Sequence, residues 1–280
     1  MVHIENLNFS YGKNKSLFDQ LNLALPSGNI YGLLGMNGAG KSSLLKIIAG
    51  LIFPDNGKVE VAGFTPKDRY PDFLSEVYLV SEEFELPGLT INHYVPLYSP
   101  FYSRFNHLLF ESYINEFKIR RDQKLTSMSY GQKKKFMLAF GLATDCKLLI
   151  LDEPTNGLDV PSKSQFRKIL ANAIHEDRSI IISTHQIRDM ENLIDPIIIL
   201  DEGEIIFFQS CENVANKLCI AKQSEVLGSQ NVLYYEPSLG GYTVVKENVD
   251  GIDTKINLEI LFNAVINNKE KIAQIFNQQN

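Results

Sequence analysis

The residues best suited to chemistry stand at positions 35–42, which read GMNGAGKS. Glycines let such a loop curl around an anion with its amides turned inward, Lys41 adds a positive charge for the β- and γ-phosphates, and Ser42 offers a hydroxyl to Mg²⁺. The loop follows an apolar run and precedes residues at helical spacing, a context that favours phosphate binding over a Gly-rich turn without function. We therefore predict a nucleotide-binding loop, whose contributing residues are Gly35, Asn37, Gly38, Ala39, Gly40, Lys41, Ser42 and Ser43.

Two adjacent carboxylates, Asp152 and Glu153, directly follow the apolar run LLIL. Ligands of open α/β sheets bind outside the carboxyl ends of the strands, so both side chains should lie near the loop. Asp152 is predicted to hold Mg²⁺ directly or through water, and Glu153 to orient or deprotonate the attacking water, with Lys41 as a further catalytic group. Taken alone, an Asp-Glu pair more often marks a turn or a helix start; beside the loop, the catalytic interpretation is favoured.

His185 follows the run IIIST and should lie at the same edge of the sheet. There it would be within reach of the γ-phosphate, and we assign it a catalytic role. A lone histidine is more often structural, so this assignment depends on the loop and the carboxylates beside it.

A second Gly-containing turn, TSMSYGQKKK at 126–135, also precedes a helix. Ser129 and Gln132 have the spacing of a capping box, which by itself accounts for the pattern. Three lysines follow in the first turns, however, where the positive end of the helix dipole disfavours cations unless an anion or solvent compensates. Because a helix N-terminus is an anion site in its own right, the chain offers two phosphate sites of different kinds. A nucleotide trapped between two chains would use one site from each.

Apolar patterning predicts the elements that position these residues. From about 84 to 127 no strand pattern appears, and aromatic-rich segments show helical periodicity. The predicted fold is α/β, a P-loop nucleoside triphosphatase with a mixed sheet, an antiparallel β subdomain and an inserted helical subdomain. Strands are expected at 29–34 before the loop, at 57–64 with half-exposed alternation, and at 148–151, 180–183 and 197–200 as the continuous apolar runs of a covered parallel sheet.

The chain is predicted to have two parts. Residues 1–210 form a nucleotide-binding domain, whose helical subdomain spans about 84–135, and residues 211–280 form a small C-terminal extension. The extension is rich in Asn, Gln and Lys, and its expected elements are strands at 231–236 and 241–247 and a final helix from about Leu258.

Composition limits the class of protein. The 280-residue chain has 44% hydrophobic and 21% charged residues, a mix typical of a soluble globular protein, and its formal net charge of −6 argues against nucleic acid as the main partner. No signal peptide and no run of about 18 apolar residues is visible, so we expect a cytoplasmic chain that would work at a membrane only beside a separate spanning chain. The cysteines, odd in number and without metal-ligand spacing, fit a reducing compartment; they are Cys146, Cys211 and Cys219.

The motifs GMNGAGKS, MSYGQ, LLILDEP, NGLD and STH, in this order and spacing, resemble the nucleotide-binding subunit of ATP-binding cassette (ABC) transporters over residues 2–210. The resemblance implies binding and hydrolysis of ATP with Mg²⁺, a second nucleotide-binding subunit forming a homodimer, a separate transmembrane permease, and a peripheral location on the inner face of the cell membrane. Cassettes of this family pack head to tail. The ATP held by one loop would therefore be capped by Ser129, Gly131 and Gln132 of the other chain.

The resemblance assigns two further residues. Tyr11, in FSYG, would stack on adenine, the alternative being an aromatic residue at a strand end. Asp159, in NGLD, would lie at the dimer interface, the alternative being a turn residue after Asn156 and Gly157.

Two positions depart from the family pattern. Glu82 stands where many members have a glutamine that senses Mg²⁺ and links to the membrane partner; a carboxylate also binds Mg²⁺, and the alternative is an exposed loop acid. Tyr130 stands where glycine is commoner, and we expect it to be tolerated because Ser129 and Gly131 are retained.

The stretch INLEILFNAV at 256–265 resembles a Leu-Glu-x-x-Phe helix of exporter-type cassettes, and the single short cassette also favours an exporter. The alternative is an amphipathic helix that packs on its own domain.

Two other functions fit part of the pattern. The first is a soluble cassette ATPase that acts on ribosomes, DNA or iron-sulfur assembly. Such a protein would carry two cassettes in one chain if it acted in translation, and a long coiled coil between Lys41 and Asp152 if it acted on chromosomes. Neither feature is present. A nucleotide-sensing scaffold without turnover would not need Glu153 and His185, and both are present. A transporter ATPase is therefore the favoured interpretation.

Overall fold

The computed structural model describes residues 1–12, 16–225 and 232–277. Its strands are β1 (Val2–Ser10), β2 (Ser16–Leu25), β3 (Ile30–Leu34), β4 (Asn56–Val61), β5 (Val77–Val80), β6 (Leu148–Asp152), β7 (Ser179–Thr184), β8 (Ile197–Asp201), β9 (Glu204–Gln209), β10 (Leu218–Gln223), β11 (Val232–Ser238) and β12 (Gly241–Glu247). Its α-helices are α1 (Lys41–Ile48), α2 (Pro71–Glu76), α3 (Ile91–Tyr98), α4 (His107–Glu116), α5 (Tyr130–Ala143), α6 (Val160–Ala171), α7 (Cys211–Lys217), α8 (Leu258–Asn267) and α9 (Lys269–Asn277).

Six strands form the central sheet, in the order β5-β6-β7-β3-β8-β9. The pairs from β5 to β8 are parallel, whereas β9 runs antiparallel to β8. Strands β3, β6 and β7 are buried along their whole length, as continuous aliphatic runs require in a sheet that is covered on both faces. The predicted mixed sheet is thus confirmed, and the carboxyl ends of these three strands lie side by side.

Successive residues of β6 point into two different cores. Leu148 and Ile150 pack with α1 and with strands β1, β2 and β4, whereas Leu149 and Leu151 pack with helices α3 to α5. Because each face of the strand has its own core, every position must be apolar.

The antiparallel sheet β2-β1-β4 provides one of these cores. Ile4, Phe18 and Val61 are buried there, and the paired positions Val2 and Val61 set the register of β1 against β4. Strand β4 covers only the first part of the half-exposed strand predicted at 57–64, because the backbone turns after Val61 through residues 62 and 63 with positive φ.

Helices α3, α4 and α5 lie between β5 and β6 in the chain, and the structure, which describes all of residues 81–147, has no strand there. Their contact is largely aromatic: the Tyr94 ring meets Phe136 and Phe140 edge-on at 5.1 and 5.4 Å, and Phe110 also packs on both. The inserted helical subdomain is confirmed, and α5 continues past residue 135 to Ala143 because its second half is buried under the sheet.

After residue 210 the chain forms the antiparallel sheet β10-β12-β11 with α7, α8 and α9. Strands are present where 231–236 and 241–247 predict them, except that Asn231 lies outside the described residues. Helix α8 begins at Leu258 and buries Leu258 and Leu261 in the core that contains Leu149. The apolar side of α8 therefore packs on the chain itself.

Among residues 1–12, 16–225 and 232–277, no helix combines the length and the apolar character needed to cross a membrane.

Candidate active site

The Gly-rich loop joins the buried end of β3 to the start of α1. Gly40 occupies the N-cap of α1 with φ +109°, a left-handed conformation that favours glycine, and no described side chain caps this helix. The first amides of α1 are therefore left for a ligand, as in other helix N-termini that bind phosphate.

Lys41, the first residue of α1, is buried and contacts the loop. Its Nζ donates to the carbonyl oxygens of Gly35 at 2.7 Å and Met36 at 3.0 Å. Burial lowers the pKa of the Lys41 ammonium, and the nearby carboxylates of Glu153 and Asp152 oppose this effect. Two loop carbonyl oxygens therefore hold the ammonium at the cavity, where it could bind phosphate oxygens.

A cavity of about 460 Å³ opens over this loop. Two predicted loop residues, Gly35 and Ala39, are buried and face away from it. The cavity brings the other predicted loop residues together with the two carboxylates and with Tyr11 and Glu82. It is lined by Tyr11, Leu17, Asn37, Gly38, Gly40, Lys41, Ser42, Ser43, Glu82, Asp152 and Glu153.

Asp152 ends β6 and is buried. Its carboxylate accepts a hydrogen bond from the hydroxyl of Ser183, its register neighbour on β7. Sequence reasoning missed Ser183, although a hydroxyl at the end of the run IIIST was a usable signal.

Glu153 is held by three hydrogen bonds. Its carboxylate accepts from Thr184 Oγ1 at 3.1 Å, from the backbone amide of His185 at 2.9 Å and from His185 Nδ1 at 2.7 Å. Its φ of +46° is unusual for a residue with a side chain, a kind of strain that concentrates at functional sites. The predicted placement of Glu153 and His185 at one sheet edge is therefore present, and three donors fix the orientation of the carboxylate.

Glu82 faces the same cavity and is half-buried, so the alternative of an exposed loop acid is wrong. Its carboxylate accepts from Asn156 Nδ2 at 2.7 Å, and Asn156 Oδ1 accepts from Gln186 Nε2 at 2.8 Å. This chain of amides joins the segments after β5, β6 and β7. Neither amide was predicted from the sequence to belong to the site.

The donor atoms near the loop suit a hard cation. The Ser42 hydroxyl and the carboxylates of Asp152 and Glu82 line one cavity, and oxygen is the ligand that Mg²⁺ prefers. Within the described part of the chain, no group of three or more His, Cys, Asp or Glu side chains is arranged to hold a metal ion. A cation at this site would therefore take further ligands from phosphate and water, as Mg²⁺ does in nucleotide sites.

Ser129 begins α5 with the predicted capping box. Its Oγ accepts from the amide of Gln132 at 3.3 Å, and its own amide donates to Gln132 Oε1 at 3.0 Å. Ser129, Gly131 and Gln132 do not line the cavity over the loop, and Ser129 is exposed. Within one chain, the second predicted anion site therefore does not share the cavity of the first.

Two other predicted residues have local partners. Tyr11 exposes 68% of its surface, and its hydroxyl lies 2.9 Å from Ser43 Oγ, so its ring is accessible at the cavity edge. Asp159 caps α6 by accepting from the Ser162 amide at 2.9 Å, and hydrogen bonds from Ser162 lower the pKa of its carboxyl.

Fold and site together define a P-loop nucleoside triphosphatase: a buried parallel strand, a Gly-rich loop with Lys41, and carboxylates at the end of a nearby strand. Comparisons with known proteins give the family. Residues 18–156 match the family model described as ABC transporter.

The lantibiotic transport ATP-binding protein SrtF of Streptococcus pyogenes is 30% identical over 218 residues, which cover 77% of this chain and 93% of that protein. The SkfA peptide export ATP-binding protein SkfE of Bacillus subtilis is 29% identical over 215 residues, 74% of this chain and 87% of that protein. A solved dimer of an ATP-binding cassette in a post-hydrolysis state has the same fold, with a TM-score of 0.66 and 24% identity over 75% of this chain and 98% of that one.

The chain belongs to the ABC transporter ATP-binding proteins. It is an ATPase, the ATP-binding and ATP-hydrolysing subunit of a transporter.

Proposed function

We propose that this chain pairs head to tail with a second copy of itself around two Mg-ATP and drives export through a separate permease. The observation that carries the proposal is that the two predicted anion sites do not share one cavity. Lys41, Asp152 and Glu153 line one cavity, whereas Ser129 begins α5 outside it. Because Ser129 does not line the cavity that holds Lys41, we assign the second site to a nucleotide bound by another chain.

In this arrangement the loop amides and Lys41 bind the β- and γ-phosphates, and the accessible ring of Tyr11 stacks on adenine. Ser42, Asp152 and Glu82 all line this cavity and would supply oxygen ligands to Mg²⁺. The metal would neutralise charge on the phosphates as the γ-phosphoryl group leaves.

Glu153 is proposed to position the attacking water and accept its proton. His185 orients that carboxylate through Nδ1, and its own side chain is outside the lining of the cavity over the loop. Because Thr184 and the His185 amide also hold Glu153, the protein itself fixes the orientation of this carboxylate.

Ser129, Gly131 and Gln132 would cap the ATP of the opposite chain, and the exposed Asp159 would lie between the two chains. The solved cassette named above is a dimer, which supports this arrangement as an analogy of fold. The relative named for peptide export supports the direction of transport.

A permease needs a surface on the cassette. An apolar groove of about 860 Å³ lies between α2, α3 and the end of α1, with Leu74, Tyr98 and Phe101 on its walls. Phe101 is 65% exposed, and such a groove on a subunit of a transporter fits a short segment of the membrane protein. The chain would then lie on the inner face of the membrane without crossing it.

The test is to tag the chain in its native cells, extract with mild detergent and identify co-purifying proteins by mass spectrometry. A polytopic membrane protein in stoichiometric amount is expected. Phe101→Asp should remove it, while Leu239→Asp, at an exposed position of the β11–β12 hairpin, should not. Recovery of ribosomal, DNA-bound or assembly proteins without a membrane protein would overturn the transport function.

A further inference from the structure

The first turns of α5 contact the segment 81–84 through two side chains, Tyr130 and Lys134. The Tyr130 hydroxyl donates to the Glu82 carbonyl oxygen at 2.8 Å, and the Tyr130 ring stacks on Phe84, with centroids 5.7 Å apart and planes at 26°. One turn later, Lys134 Nζ donates to the Ser81 carbonyl oxygen at 3.0 Å and lies 5.6 Å from the centre of the Phe84 ring. A glycine at position 130 would make neither the hydrogen bond nor the stacking contact.

The same segment reaches the nucleotide cavity through the Glu82 side chain. Lys134 strengthens this connection, because its Nζ also donates to the Asp152 carbonyl oxygen at 3.1 Å. The Lys134 side chain is fully buried, and a buried ammonium is tolerated only where its donors are engaged. The start of α5 is therefore joined to the strand end that carries Asp152 by one direct, buried hydrogen bond.

Tyr130 also packs on the loop that follows Glu153. A β-carbon on Gly157 would lie 2.4 Å from the Tyr130 ring, so the ring and this backbone are in contact. The preceding residue, Asn156, is the one that donates to the Glu82 carboxylate. Tyr130 and Glu82, the two departures from the family pattern, thus contact each other directly.

We infer that Tyr130 is a positioning residue that couples the chain's own ATP cavity to the adjacent Ser129, which caps the ATP held by the opposite chain. The inference rests on the proposed head-to-tail dimer. ATP that engages Glu82 fixes the segment 81–84, and Tyr130 transmits that position to the first turn of α5. Because coupling between sites is reciprocal, closure of Ser129 on the other ATP also favours the bound arrangement around Glu82.

The test uses the full chain with Glu153→Gln, which by the proposed role of Glu153 binds ATP without hydrolysing it. Light scattering measures the ATP concentration at the midpoint of dimerisation, and calorimetry at protein concentrations below dimerisation measures the Kd of the monomer for ATP. Tyr130→Phe removes only the hydroxyl, Tyr130→Gly removes the ring as well, and Tyr235→Phe, at an exposed tyrosine of β11, is the matched control.

Loss of one hydrogen bond should raise the dimerisation midpoint about two- to tenfold in Tyr130→Phe, and loss of the ring should raise it further in Tyr130→Gly. The monomer Kd and the thermal midpoint of Tyr130→Phe should stay at the parent values, as should every value of Tyr235→Phe. If Tyr130 had only a structural role, Tyr130→Phe would lower the thermal midpoint. The ratio of the dimerisation midpoint to the monomer Kd would then stay at the parent value.

The outcomes separate this inference from the proposed function. If the Glu153→Gln chain does not dimerise with ATP, the head-to-tail dimer is wrong and the inference falls with it. If that chain dimerises and both Tyr130 variants do so at an unchanged ATP concentration, the coupling alone is wrong. A loss of monomer binding equal to the loss of dimerisation would also overturn the coupling, because Tyr130 would then act only on its own cavity.

Discussion

One carboxylate oxygen of Glu153 accepts two hydrogen bonds from His185, one from the backbone amide at 2.9 Å and one from Nδ1 at 2.7 Å. The orientation of this carboxylate therefore depends on the residue that follows β7, although Glu153 itself follows β6. Strand adjacency makes this possible, since β6 and β7 are paired in parallel and end together.

Replacing Glu153 by Gln should abolish turnover while ATP binding is retained. An amide cannot accept the proton of the attacking water, and loss of a general base lowers a rate by about 10²- to 10⁴-fold. Phosphate release measures turnover, and size-exclusion chromatography with Mg-ATP should show an accumulating dimer. Glu176→Gln, at an exposed position, is the control. Undiminished phosphate release by Glu153→Gln would contradict the catalytic assignment.

Replacing His185 by Ala should lower kcat more than it changes KM. The variant loses the Nδ1 hydrogen bond to a charged carboxylate but keeps the backbone amide and Thr184, so a decrease of about 10- to 100-fold is expected. Steady-state ATPase kinetics give both constants. His175→Ala removes an exposed histidine that pairs with Asp145 and should leave the kinetics unchanged. Equal kinetics for the two variants would assign His185 a structural role.

Replacing Glu82 by Gln should retain hydrolysis within a few-fold. The glutamine carbonyl oxygen can still accept from Asn156 and still offers a ligand to Mg²⁺, whereas Glu82→Ala removes both contacts. The Mg²⁺ concentration at half-maximal activity should therefore rise in Glu82→Ala and change little in Glu82→Gln. A Mg²⁺ titration that is the same for Glu82→Ala and the unmodified chain would exclude Glu82 from the metal site.

Replacing Ser129 by Arg should abolish the ATP-dependent dimer and leave the monomer able to bind ATP. Ser129 is exposed and outside the cavity, so the larger side chain blocks the surface proposed for the second chain without reaching the first ATP. Light scattering in the Glu153→Gln background measures the dimer, and calorimetry measures binding. Ser112→Arg, on the exposed side of α4, is the control. A dimer that persists in Ser129→Arg would disprove the second anion site.

The sequence alone predicted the nucleotide loop, the two carboxylates and His185, as well as the mixed sheet that holds them. Each of these inferences depends on local rules: a strand, a Gly-rich turn and a helix follow one another in the chain, and parallel strands end at one edge of a sheet. The capping box at Ser129 was equally local, since its atoms belong to residues three apart.

Only the tertiary structure decided which distant groups meet around these residues. The strand order places β7 between β6 and β3, which brings Ser183 to Asp152 and His185 to Glu153. The packing of α5 against segment 81–84 joins Tyr130 to Glu82 and buries Lys134. No periodicity encodes these contacts, because they depend on the order of strands in the sheet and on the aromatic packing that sets the position of α5.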